Sequence, residues 1–94
     1  MTDLLRIVSA EPVIHGVLKI VWNDGYEGVV DFRHFLAIGK VYTPLREPEF
    51  FKTVRVEPYG HSIEWLTPEG REIDFGSDSL QELAKRQARL LLAS

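Results

Sequence analysis

The chain has no cysteine. Disulfides, thiolate metal ligands and cysteine nucleophiles are excluded together, and a reducing compartment fits the composition. No apolar run approaches the roughly 18 residues of a membrane-spanning helix. Met1 to Ala10 carries Asp3 and Arg6 and lacks the apolar stretch of a secretory signal. A basic excess is missing too: 14 acidic side chains against 11 basic ones give a net charge of −3, so there is no whole-domain field for nucleic acid. Gly-x-Ser-x-Gly and glycine-rich phosphate loops are absent. His15, His34 and His61 are not spaced as a ligand pair. These absences lead us to expect a cytoplasmic protein with no catalytic residue, no metal and no cofactor, away from membranes.

What is present is ordinary globular composition. Apolar residues make up 45% of 94 residues and charged residues 27%. That length suits one domain over 1–94, burying roughly 60–65% of the surface its unfolded chain exposes. No repeat, low-complexity tract or linker interrupts it.

Two segments read as hairpins whose registers follow from matching apolar faces. In residues 16–32, Leu18, Ile20 and Trp22 alternate with Lys19 and Val21 before Asn23-Asp24-Gly25. A two-residue loop would set Trp22 against Glu27. A three-residue loop sets Trp22 against Tyr26 and Leu18 against Val30, and puts Gly25 where a left-handed residue is needed, so we predict the latter. Residues 54–75 read as a three-strand meander. A two-residue Tyr59-Gly60 loop would pair Val56 with Ile63, Val54 with Trp65, and Arg55 with Glu64. A three-residue Pro68-Glu69-Gly70 loop would pair Trp65 with Ile73 and Ile63 with Phe75. Val54, Val56, Ile63, Trp65, Ile73 and Phe75 then form a core face, with Trp22 and Trp65 at least half buried.

The other elements are shorter or simpler. Residues 5–14 read as a first strand, pushed to an edge or a bulge by Pro12. Arg33 to Ile38 makes a helical turn ending at Gly39, and Pro48-Glu49-Phe50-Phe51 another. A helix is predicted over about 78–92, with Ser79 and Glu82 at capping-box spacing. Leu80, Leu83, Ala84, Gln87, Ala88 and Leu91 share its apolar stripe, while Gln81, Glu82, Lys85, Arg86 and Arg89 face away. The predicted class is α+β, antiparallel β-hairpins and a meander packed against a C-terminal α-helix.

Three pieces, in order, resemble a small bacterial family, domain of unknown function 2442. They are Asn23-Asp24-Gly25 followed by Val30-Asp31-Phe32; Pro44-Leu45-Arg46-Glu47-Pro48-Glu49-Phe50-Phe51 running into Val54-Arg55-Val56; and Ile63-Glu64-Trp65, a turn with Gly70, then Asp74 and Leu80. Each is turn chemistry and core alternation, and together they span most of the chain. The stretch Leu66-Thr67-Pro68-Glu69-Gly70 is longer than the family's usual turn. The resemblance implies a small α+β domain with no established activity and no catalytic residues to transfer. Some relatives look like fusions to helix-turn-helix domains, and others are similar to proteins of toxin–antitoxin-like gene pairs. Only one helix is expected after Phe75, so operator binding does not carry over.

Three surfaces carry candidate function. Glu64, Glu72 and Asp74 share the outer face of the meander, Glu64 directly across from Asp74. That patch suits a basic partner, a cation or a carboxylate pair, against the plainer reading of a solvated sheet face balanced by Arg55. Lys85, Arg86 and Arg89 form a short basic helix face, which is usually just solvated. Leu90-Leu91-Leu92 spans about 200° of helix, so one sheet cannot bury all three, and an unfrayed end leaves at least one for a dimer or partner contact. The leading expectation is a non-enzymatic interaction or regulatory module, antitoxin-like or homodimeric. A small ligand-binding protein or enzyme with an unrecognised pocket, and a nucleic-acid-associated regulator, are the alternatives. Partners expected are another protein or a second copy, rather than nucleic acid.

Overall fold

The computed structural model describes residues 4–93, and the side chains of residues 4–90. Strands β1 (Ile7–Ile14), β2 (Val17–Trp22) and β3 (Glu27–Asp31) form one antiparallel sheet in that order. Strands β4 (Arg55–Val56), β5 (Ser62–Leu66) and β6 (Glu72–Gly76) form a second. Helix α1 (Arg33–Ile38), a 3₁₀ segment (Lys40–Arg46) and helix α2 (Pro48–Phe51) connect the sheets, and α3 (Ser77–Ala93) follows β6 directly. The class is α+β, as the hairpin and helix patterns indicate.

Face matching gives both three-residue turns correctly. Trp22 N–H donates to the Tyr26 carbonyl (2.9 Å) across Asn23-Asp24-Gly25, and Leu18 faces Val30. Thr67 N–H donates to the Arg71 carbonyl (2.8 Å) around Pro68-Glu69-Gly70, and Trp65 faces Ile73 while Ile63 faces Phe75. A slip by one residue would turn every apolar side chain outward, so burial dictates loop length here.

The third turn differs from expectation. Val56 does face Ile63 and Arg55 does face Glu64. The connection, however, is the four residues Pro58–His61: Glu57 N–H donates to Ser62 (2.9 Å) and Gly60 N–H to Glu57 (2.7 Å). A two-residue loop would need Pro58 to donate to His61, and proline has no N–H. The His61 carbonyl instead accepts from Ser77 N–H at 2.8 Å. Val54 is not in the strand, because its N–H turns back toward the Phe51 carbonyl (3.4 Å).

Strand β1 is an edge, and Pro12 shows why it tolerates that place. Pro12 lies opposite Leu18, whose backbone bonds toward β3, so the missing N–H points to the open edge, and the register shifts beside it. The opposite edge is capped at the end of β3. Asp31 N–H donates to Gln87 Oε1 (2.9 Å) and Gln87 Nε2 donates back to the Asp31 carbonyl (3.0 Å), as a neighbouring strand would. A second clip joins Gln81 Nε2 to Asp24 Oδ2 at 3.2 Å.

These clips correct the helix pattern. Gln81 is buried rather than facing away, and Ala88 is exposed rather than on the stripe. The docked face is Leu80, Gln81 and Ala84, with Leu83, Lys85 and Gln87 half-buried. Gly28 of β3 admits that face: a Cβ there would stand 2.9 Å from Ala84 Cβ. The helix starts at Ser77, ahead of the Ser79–Glu82 box, because the chain passes from β6 into α3 without a loop.

One apolar cluster joins both sheets through Leu18, Ile20, Trp22, Phe32, Phe51, Ile63, Trp65 and Leu80. Both indoles are sealed and both N–H groups are satisfied, Trp22 by the Ser77 carbonyl (3.2 Å) and Trp65 by the Phe51 carbonyl (2.9 Å). Val54, Val56 and Phe75, expected in the core face, are only partly buried and pack against it.

Candidate partner-binding groove

Each sequence-selected side chain has a definite place. Glu64 lies across from Asp74, but it is buried, with the Arg55 guanidinium 3.3 Å from its carboxylate. Glu64 is therefore covered by its exposed partner Arg55 rather than offered as a landing charge, leaving Glu72 and Asp74 exposed on that face. The basic helix face divides in three. Lys85 lies 5.2 Å over the Tyr26 ring, Arg89 reaches Glu82 at 3.9 Å, and Arg86 stands exposed. Leu90 is 65% exposed, while the Leu92 side chain lies outside the described residues. Of the described side chains, Glu64, Lys85 and Arg89 are each engaged by a neighbour, while Arg86 and Leu90 stand exposed four residues apart on α3.

The histidines are separate as well. His15 Nε2 approaches the Leu45 carbonyl at 2.9 Å and the ring meets Phe51 edge-on, His61 stacks on Tyr59, and His34 lies beside Phe35. No group of three His, Asp or Glu side chains that could hold a metal occurs among the described residues. No described helix is long and apolar enough to cross a membrane.

What the fold does gather is aromatic. Phe35 of α1, Tyr42 of the 3₁₀ segment and Phe75 of β6 pack on one another. Their ring centroids are 6.0 Å (Phe35–Tyr42), 6.1 Å (Phe35–Phe75) and 5.5 Å (Tyr42–Phe75) apart. Phe32 and Trp65 support Phe75 from the core at 5.0 and 6.2 Å. Phe32 and Trp65 are sealed, but all three rings of the trio remain half-open. Beside them Phe35, Phe75, Leu80 and Leu83 line an open groove of about 380 Å³ with Glu82 and Arg86 on its rim. Ser79, Leu83, Arg86 and Leu90 recur at helical spacing, so exposed Leu90 continues the same stripe of α3. Ile38 and Val41, near Phe35 and Tyr42 in sequence, are also exposed, at 68% and 59%.

Sequence reasoning missed this site because its parts serve two roles. Phe75 and Leu83 read as core, and Phe35 and Tyr42 fall in the irregular 33–52 stretch. The one available signal is the run Phe35, Ile38, Val41, Tyr42, too apolar for a solvated connection.

Two carboxylates beside the helix are electrostatically tuned. Asp31 is held below the usual carboxylate range, first by the side-chain bonds of Arg33, whose Nη2 is 2.7 Å from Oδ2. Asp24 is lowered first by the Tyr26 N–H, with help from Gln81 and Lys85. Both therefore bind protons more readily in the unfolded chain, where aspartate titrates near about 3.9. Their stabilising contribution is present above about pH 4 and is lost as pH falls through the lower folded values. In urea melts at stepped pH, Asp31→Asn should flatten that acid limb, and an unchanged slope would show that Asp31 does not contribute.

The family model described as a protein of unknown function, DUF2442, matches residues 7–86. The chain belongs to that family. The match covers both sheets and α3 as far as Arg86, so in this DUF2442 protein the aromatic trio, Leu83 and Arg86 all lie within the matched region. No curated protein and no solved structure gives a significant match.

Proposed function

We propose that this DUF2442 chain is a non-enzymatic protein-interaction module, and that it binds its partner through the groove between α1, β6 and α3. The observation that carries this reading is the half-open trio of Phe35, Tyr42 and Phe75 beside Leu83 and Arg86. Aromatic side chains and arginine dominate the energetic centres of protein interfaces, and mutually packed rings lose little side-chain freedom on binding. A regulatory or antitoxin-like role would act through this same contact.

A ligand-binding or enzymatic role has less support. The clefts of about 320 to 460 Å³ among the described residues are open to solvent, and in the one lined by His61, Ser77, Asp78 and Ser79 the buried Ser77 hydroxyl has no hydrogen-bond partner, so neither His61 nor Asp78 is placed to take its proton.

The test is co-purification of the tagged chain from native extract, with nuclease present, as wild type and as Leu83→Ser. The groove reading predicts a stoichiometric protein partner whose retention falls about tenfold or more in the variant, a loss of about 1.4 kcal/mol or more. Equal retention by a normally folded Leu83→Ser chain would contradict it.

A further inference from the structure

The groove's rim indicates the chemistry of its occupant. One arginine lines the groove, and two more are anchored on the backbone of the segments that carry Phe35 and Tyr42. Arg86 lines the groove directly. Arg46 donates from Nε to the Leu36 carbonyl (2.6 Å) and from Nη2 to the Ala37 carbonyl (3.4 Å), at the end of α1 beside Ile38. Arg71 donates from Nη2 to the Val41 carbonyl at 2.8 Å, next to Tyr42. All three residues are exposed. None has a carboxylate within ion-pair distance among the described residues, whereas Arg33, Arg55 and Arg89 do. Glu82, the acid on this rim, is already engaged by Arg89.

The chain carries more acid than base, 14 side chains against 11. Exposed arginines with no carboxylate within ion-pair distance, one on the groove and two on the segments that carry its rings, therefore stand out in an acidic chain. We propose that the groove docks an amphipathic protein segment whose apolar side chains cover Phe35, Tyr42, Phe75 and Leu83 and whose acidic side chains meet Arg46, Arg71 and Arg86. This rests on the interaction-module reading and adds the occupant's charge. Apolar anchors set in a groove with charges at the rim are the usual arrangement for helix-in-groove recognition. Complementary rim charges raise association rate and fix orientation. A nucleic acid would also use arginine and aromatic rings, but these rings are packed on one another rather than presented singly, aliphatic side chains flank them, and the net charge opposes a polyanion.

Selection from a random peptide library on the full chain tests the proposal, with oligothymidine as a parallel probe. Selected peptides should combine apolar residues at helical spacing with Asp or Glu. Their affinity should fall roughly tenfold in Arg86→Glu, equivalent to about 1.4 kcal/mol, and be largely kept in Arg86→Lys at low salt. Circular dichroism of each variant checks the fold. Peptides without acidic enrichment that still lose binding in Leu83→Ser would overturn the charge assignment and leave the groove reading standing. Peptides indifferent to Leu83→Ser, or no selected binders at all, would overturn both. Oligothymidine binding that Arg86→Glu removes would make nucleic acid the occupant and end the proposal.

Discussion

Trp65→Ala should lower stability by about 3–5 kcal/mol. Trp65 is fully buried in β5, where the second sheet meets the connecting helices. Its ring touches Phe51 at 5.7 Å, Phe32 at 6.3 Å and Phe75 at 6.2 Å between centroids. Truncation removes the ring's transfer energy, opens a cavity that three other rings cannot close without leaving their own contacts, and removes the Nε1 donor from the Phe51 carbonyl. The effect should reach function as well, since Trp65 supports Phe75 and Phe75 supports the groove. Urea denaturation measures it, and a loss below about 1 kcal/mol would mean that Trp65 does not hold the centre of the core.

Gly60→Ala is expected to be nearly as costly, at about 2–4 kcal/mol. Gly60 has φ +75°, which a side chain adopts only with strain, and its carbonyl accepts the Ile7 N–H at 2.8 Å where the two sheets meet. An added Cβ would stand 2.7 Å from the Ile7 carbonyl oxygen and 3.1 Å from the Ile7 nitrogen. Both are backbone atoms that cannot rotate away, so the sheet junction itself must shift. Gly25→Ala is the matched control. Its φ is +89°, but nothing lies within 4 Å of the added carbon, so it should show backbone strain alone, about 1 kcal/mol. Equal losses in the two variants, read in the same denaturant melts, would refute the clash at the sheet junction.

The contrast between these glycines reflects what the sequence could and could not convey. Registers were readable wherever one face is buried and a turn is short, because a wrong loop length would pair Trp22 with Glu27. The Pro58–His61 turn escaped because pattern matching weighed side chains and not the N–H that Pro58 lacks. The 3₁₀ segment escaped because Pro44 and the β-branched Val41 and Thr43 oppose a helical reading, and its geometry is set by tertiary contacts such as Tyr42 on Gly39 and Phe75. Helix α3 was visible as amphipathic, and Gln87 falls on the expected stripe, yet the exact rotation was not legible, since Gln81 is buried by a bond to Asp24 that no helical pattern encodes while Ala88 is exposed. The candidate surface was the least legible part. Charge selected Glu64, which the fold buries against Arg55, and passed over Phe35 and Tyr42, which only the packing of α1, the 3₁₀ segment and β6 brings together.

The most direct test is isotope-labelled NMR of the chain in nuclease-treated native extract. Partner binding through the groove predicts that signals of Phe35, Ile38, Tyr42, Phe75, Leu83 and Arg86 broaden first, while those of Val8, Val13 and Val29 on the first sheet stay sharp. A spectrum unchanged from buffer, or broadening centred on that first sheet with the groove signals intact, would contradict the account.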